Sequence, residues 1–161
     1  MTEPSTIIKI LEIAGGGLIG AIAAYCFNLF HWKTTEKIRK IENLCEEINK
    51  VTEKLEQDTI QYWLSPPPQN DAEAIIAKQL EISIKSLMRT QVSLTQKLSD
   101  FIQDNKKQIT LAKAKTLNNR LFELSTGEDF ESKARKARPS RCNNISRACA
   151  DIRFNLSEIT T

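Results

Sequence analysis

Residues 13 to 32 read IAGGGLIGAIAAYCFNLFHW and contain no charged side chain. A helix of about 20 mainly apolar residues is long enough to cross the hydrocarbon core of a bilayer. The run therefore predicts an N-terminal transmembrane helix, preceded by a short tail at residues 1 to 12. Two alternatives stay open: a cleaved signal with the A-x-A-like site at Ala21 to Ala23, or a core helix with the low hydropathy that four glycines give.

The flanks of this run predict its orientation. Only Lys9 precedes it, whereas Lys33, Lys37, Arg39 and Lys40 follow it. Lysine and arginine near the ends of a span are retained on the cytoplasmic side. We expect a single-pass protein of the inner (cytoplasmic) membrane, in contact with membrane lipid, whose N-terminus lies outside and whose larger C-terminal part is cytoplasmic.

Small residues recur every fourth position within the predicted span. The two series are Gly16, Gly20 and Ala24, and Gly17 and Ala21. Small residues let transmembrane helices approach closely, where burial of apolar surface gives no net drive. The pattern predicts a helix–helix contact on this face and therefore a homo-oligomer.

Composition bounds the remaining chain. The 161 residues carry a net charge of +3, five glycines, five prolines, four cysteines and one histidine. Strand signals are few, so an all-α fold is predicted, in which the transmembrane helix continues into a cytoplasmic helical hairpin or bundle with coiled-coil character. No CxxC spacing or histidine cluster indicates a metal, and the cysteines are expected to be free thiols; no cofactor is predicted.

Residues 33 to 64 are predicted to form an amphipathic helix next to the membrane. Its apolar stripe, repeating at three and four residues, consists of Ile41, Leu44, Ile48, Val51 and Leu55. Such a narrow stripe suits a coiled coil between copies or with a partner, and it suits a helix of an intramolecular bundle equally well. Both interpretations stay open, and we treat the stripe as a candidate oligomer or partner surface.

Three consecutive prolines interrupt the chain in residues 65 to 71 and predict a rigid turn. A helical hairpin or bundle is predicted for residues 72 to 127, beginning at a capping box of Asn70 and Glu73. Its second helix presents an apolar stripe from Ile76 to Phe101, and a third helix presents Ile109, Ala112, Leu117, Leu121 and Leu124. Tyr62 and Trp63 would lie at the tip of the hairpin, either capping the bundle end or exposed to a partner.

Residues 128 to 161 combine a basic segment with a C-terminal amphipathic helix. The apolar seam of this helix is Cys142, Ile145, Cys149, Ile152, Leu156 and Ile159. The basic residues are Lys133, Arg135, Lys136, Arg138, Arg141 and Arg147, with no acid between them. Such a cluster predicts a polyanion partner, either nucleic acid or anionic lipid, and the alternative is a solvated surface balanced by upstream acids.

No arrangement of residues indicates catalysis. The sequence has no phosphate-cradling glycine loop, no nucleophile elbow and no recognisable acid pair, so an enzyme is not expected. The predicted function is a membrane-anchored helical protein that self-associates and binds a soluble protein partner. By analogy of architecture, such proteins include membrane-perturbing effectors of bacterial toxin and antiviral-defence systems. The alternatives are a passive membrane scaffold or tether, and a periplasmic coiled-coil lysis protein of the spanin type with disulfides at Cys142 and Cys149.

Overall fold

The structure is a computed structural model, and it describes residues 4–127, 129–132 and 135–160. Within α1, the side chains of residues 4–16 and 19 lie outside this description. The described residues form four helices: α1 (Pro4–Leu64), α2 (Asp71–Phe101), α3 (Asn105–Ser125) and α4 (Pro139–Thr160). They contain no strand, so the predicted all-α class is confirmed.

The chain divides into two compact units, Met1–Arg39 and Lys40–Thr161. The first unit contains the predicted span. Over the part of the chain that the structure describes, no helix is long and apolar enough to cross a membrane, so the transmembrane prediction is not supported. Ile13 to Gly16, at the start of the predicted span, and Ile19 have side chains outside the described set.

The second unit is an up-and-down bundle of four helical segments. Helices α1 and α2 are antiparallel. Tyr62, near the end of α1, contacts Glu81, whereas Thr52, earlier in α1, contacts Gln91, later in α2. The same antiparallel relation joins α2 with α3, and α1 with α4 through Glu56 and Arg153. The connections from α1 to α2 and from α2 to α3 are short, which favours antiparallel neighbours in a bundle. The described residues from Lys40 onward share one core, to which all four helices contribute.

Local signals set the helix boundaries. The side chain of Asn70 accepts a hydrogen bond from the backbone N–H of Glu73 at 2.9 Å, and its Nδ2 donates to the Glu73 carboxylate at 2.9 Å. The Glu73 carboxylate also accepts the backbone N–H of Gln69 at 2.8 Å. Asp104 caps α3 in the same way through Lys107. These side chains accept hydrogen bonds from N–H groups that have no partner within the helix. Because Asn and Asp are typical capping residues, the sequence indicates where α2 and α3 begin.

The bundle core contains the stripe of α1 that was a candidate oligomer or partner surface. Ile48 and Leu55 are buried at the centre, and the partly buried Ile41, Leu44 and Val51 pack against the core. The chain's own helices cover this stripe, which is the packing that the intramolecular interpretation predicts. All six residues of the predicted α4 seam, Cys142 to Ile159, are also buried.

The predicted face of α3 is partly wrong. Leu121 is buried and Leu117 and Leu124 are half-buried, but Ile109 is 61% exposed and Ala112 is exposed. The buried side of α3 is instead completed by Thr110, Leu111, Ala114, Asn118 and Ser125. This side of α3 packs closely against α4, and its Asn118 contacts Thr95 of α2.

Buried polar side chains cross the middle of the bundle. Gln91 of α2 donates to the Thr52 hydroxyl of α1 at 2.8 Å, and Asn118 of α3 donates to the Thr95 hydroxyl of α2 at 3.3 Å. A buried polar group without a partner costs about 1–3 kcal/mol. Sliding one helix past its neighbour would break these pairs, so they fix the register of α1, α2 and α3.

Candidate functional site

An arginine–aromatic cap closes one end of the bundle, where α1 and α3 end. It consists of Tyr62, Trp63, Phe130, Arg135 and Arg141. The Tyr62 and Trp63 rings meet edge to face at 5.3 Å, and Phe130 packs on Tyr62 at 5.1 Å. The Arg135 guanidinium lies 3.9 Å above the Tyr62 ring, and that of Arg141 lies 4.3 Å above Trp63. Tyr62 and Trp63 therefore cap the bundle, and the exposed-partner interpretation is wrong.

Hydrogen bonds satisfy the polar ends of both aromatic residues. The Tyr62 hydroxyl donates to the Glu81 carboxylate at 3.1 Å and accepts the backbone N–H of Glu131 at 2.9 Å. The Trp63 indole N–H donates to the carbonyl of Ser125 at 3.0 Å. Burial raises the pKa of Tyr62. Because these partners come from α2, α3 and the segment after α3, the cap ties three parts of the bundle end to α1.

Charged side chains surround the cap at its rim. Lys78 pairs with Glu81 at 2.9 Å and with Glu131 at 3.0 Å, and Lys85 pairs with Glu131 at 2.8 Å. The Glu131 pKa is lowered by the hydrogen bonds from Lys85 and Lys78, and the pKa of Lys78 is raised by its bonds to Glu81 and Glu131. Glu131 has a backbone φ of 66°, a left-handed conformation that is uncommon outside glycine. The ion pairs hold the chain in this turn beside α2.

The predicted basic cluster divides between the cap and the surface. Arg135 is 2% exposed, and its Nη2 donates to the carbonyls of Pro66 at 3.3 Å and Ser65 at 3.5 Å. The Arg138 guanidinium pairs with Asp129, and its backbone N–H donates to the Trp63 carbonyl at 3.0 Å. Lys136 and Arg147 are exposed, and Lys133 lies outside the described residues.

Arg135, Arg138 and Arg141 thus contact groups of the fold, and anion binding by the basic residues stays a prediction. The solvated-surface alternative does not describe these three arginines either, because they contact aromatic rings, carbonyls and Asp129. Sequence reasoning missed the pairing because the rings precede the arginines by about 70 residues along the chain. An aromatic pair before a proline turn, with an acid-free arginine run elsewhere, is the signal that could have suggested it.

A cleft of about 760 Å³ adjoins the cap. Ala74, Ile75 and Pro68 form its apolar part, and its charged lining is Asp71, Lys78, Glu81, Glu131 and Arg135. Charges of both signs neutralise one another there, and the N-terminus of α2 is already capped by Asn70. Three carboxylates and two cations line the cleft, so most of its charge is offset within the lining.

The cysteine thiols of the bundle are poor nucleophiles. Burial raises the pKa of Cys45 to about 11 and that of Cys149 to about 12, and it raises the pKa of Cys142. The reactive form of cysteine is the thiolate, which these pKa values suppress at neutral pH. All four cysteines are free, and only Cys26 is exposed. The intermolecular disulfides of the spanin-type alternative would require Cys142 and Cys149, which the core covers.

The small-residue face of the first unit is open. A Cβ added to Gly17 or Gly20 would meet no atom within 4 Å, and Ala21 and Ala24 are exposed. The side-chain surroundings of Gly16 lie outside the described set. Comparison of the chain with protein-family models, with curated proteins and with solved structures gives no match.

Proposed function

We propose that this is a membrane-anchored helical protein that self-associates through its N-terminal segment and presents the Lys40–Thr161 bundle to a soluble protein partner. The observation that carries the proposal is the exposure of apolar side chains in the first unit. Its exposed large apolar residues are Leu18, Ile22, Tyr25, Phe27, Leu29, Phe30, Trp32 and Ile38. A helix surface without charges over this length is stable in an apolar environment and not in water.

Helical geometry separates two faces within residues 17 to 32. At 3.6 residues per turn, Gly17, Gly20, Ala21 and Ala24 share one face, with Phe27 at its edge. The bulky Leu18, Ile22, Tyr25 and Leu29 share a face about 120° away around the helix. Bulky apolar side chains suit lipid, and small residues suit the close approach of a second helix. The two faces therefore support both parts of the proposal, the lipid contact and the self-association.

Flotation of the full chain with phosphatidylcholine vesicles tests the lipid contact. The wild type should float with the vesicles, and the double variant Ile22→Asp, Phe30→Asp should stay at the bottom of the gradient, because each carboxylate costs about 2.5–3.5 kcal/mol at the centre of a span. Phe154→Asp is the matched control, since Phe154 is 63% exposed on the bundle. A wild type that does not float contradicts the anchor.

Cross-linking in the same vesicles tests self-association. Gly20→Leu should reduce the cross-linked oligomer by blocking close approach of the helices. Cys26→Leu also enlarges a side chain, but six residues from Gly20 and so about 120° away around the helix, and it should leave the oligomer unchanged. Equal effects of the two variants would contradict the small-residue interface.

Toxicity on expression separates the two roles that such an anchored protein could have. A membrane-perturbing effector should arrest growth and let a membrane-impermeant dye enter the cells. A passive tether should do neither, even when it is expressed at the same level. The variant Ile22→Asp, Phe30→Asp should abolish dye entry in the first case, because the apolar face would no longer reach the lipid.

A further inference from the structure

A second cleft, of about 530 Å³, lies on the outer side of the bundle between α2 and α3. Its apolar lining is Met88 at the floor and Val92 and Phe122 at the sides. Val92 is 61% exposed and Phe122 is 54% exposed, although both belong to helices whose other faces fill the core. Two adjacent antiparallel helices form a groove along their axes, which is the shape that accepts a third helix.

The charges beside this groove have one sign. Its remaining lining residues are Lys85, Arg89 and Ser93, so no carboxylate of the described residues lines it. Glu131 pairs with Lys85, but Arg89 forms no ion pair with any residue that the structure describes. Glu131 offsets part of the Lys85 charge, so the positive charge of the groove is mainly that of Arg89. An apolar strip flanked by cations complements an apolar strip flanked by carboxylates.

We propose that this α2–α3 groove binds an amphipathic, acidic helix of a soluble partner protein. Apolar side chains of that helix, spaced at three and four residues, would contact Met88, Val92 and Phe122. Its carboxylates would pair with Arg89 and with the exposed part of Lys85. The inference rests on the proposed function in one respect: it identifies the surface and the chemistry by which the bundle takes a soluble partner.

The test uses the full chain in detergent micelles and a fluorescent peptide of about 15 residues, a length at which a helix is marginally stable alone. The peptide carries leucines spaced at three and four residues, with glutamates on the other positions. A second peptide has lysine in place of every glutamate. We expect the acidic peptide to bind at least tenfold more tightly than the basic one, and added salt to weaken its binding.

Three variants locate the site. Phe122→Ser and Arg89→Glu should each weaken binding of the acidic peptide about tenfold, the first by removing an apolar contact and the second by repelling carboxylates. Ile109→Ser is the matched control on α3, because Ile109 is also an exposed apolar residue, at 61%, and does not line the groove. It should bind the peptide like the wild type. All three residues lie at the surface, so the bundle should keep its circular dichroism spectrum and its unfolding midpoint.

Three outcomes would overturn the inference: no binding of the acidic peptide, equal binding of both peptides, or an equal effect of Phe122→Ser and Ile109→Ser. Loss of self-association in Phe122→Ser, seen by sedimentation and without a change in peptide binding, would assign the groove to a second copy and also overturn it. The result is independent of vesicle flotation. A chain that binds the peptide but does not float contradicts only the anchor, and a chain that floats but does not bind contradicts only the groove.

Discussion

Residues 17 to 32 and the bundle contain similar apolar side chains, but the two units expose them differently. Leu18 and Phe27 are 64% and 68% exposed, whereas Leu55 and Leu98 are fully buried. Burying a large apolar side chain stabilises a protein by about 1.5–3 kcal/mol, so each buried leucine contributes to folding of the bundle. An exposed one contributes nothing until another surface covers it. The bundle is therefore stable by its own packing, and the first unit depends on its surroundings.

The largest effect should come from a charge placed in the bundle core. Ile152 is fully buried in α4, so Ile152→Asp should lower the free energy of unfolding by more than about 4 kcal/mol and leave the bundle unfolded or nearly so. Urea unfolding followed by circular dichroism measures it. Phe154→Asp introduces the same charge two residues away, at a 63% exposed position, and should change the free energy by less than about 0.5 kcal/mol.

Equal destabilisation by both variants would show that α4 packs differently from this structure. Arg153 is not a suitable control, although its position beside the seam suggests a silent surface residue. Its guanidinium pairs with Glu56 of α1 at 2.7 Å, and the Glu56 side chain is only 18% exposed. The pair links α4 to α1, so removing it would mix a surface effect with a packing effect.

The next prediction compares one side-chain type in the two units. Leu55→Ala should lower the free energy of unfolding of the bundle by about 2–5 kcal/mol, because it leaves a cavity between packed helices. Leu29→Ala, at a 39% exposed position of the first unit, should leave bundle unfolding unchanged. Urea unfolding of the full chain in detergent measures both. A bundle destabilised by Leu29→Ala would mean that residues 17 to 32 contribute to the bundle core.

The smallest effect concerns pH. Burial raises the pKa of Cys149 from 9.0 to about 12, so between these values the thiol ionises in the unfolded chain and stays protonated in the folded one. Its stabilising contribution is complete below pH 9 and is lost as the pH rises, by up to about 1.4 kcal/mol per pH unit. The stability difference between wild type and Cys149→Ala should therefore shrink by about 1 kcal/mol between about pH 8 and about pH 10.

Cys26→Ala is the control for this measurement, because Cys26 is exposed in the first unit. Its stability difference from the wild type should stay constant over the same pH range. Lysines and tyrosines also titrate there, and taking the difference between two variants cancels their contribution. A constant difference for Cys149→Ala as well would mean that the folded structure does not protect this thiol.

The sequence by itself determined the helices and their ends. Asn70 and Asp104 cap α2 and α3 in the structure, and the six-residue seam of α4 is buried as its spacing predicts. These features depend on side chains within three or four residues of one another. Capping and helical periodicity act over that distance, so the residues that determine each feature are close together in the sequence.

Only the tertiary structure decided what each face contacts. The stripe of Ile48 and Leu55 has the same spacing in a coiled coil as in a bundle. In the structure it packs in one core with residues of α2 and α4. In the sequence, Arg135 and Arg141 belong to a basic cluster. In the structure, their guanidinium groups lie over the rings of Tyr62 and Trp63. Contacts of this kind join residues about 40 to 100 positions apart, from Thr52 with Gln91 to Glu56 with Arg153. Their formation depends on the packing of the entire bundle, which local spacing does not encode.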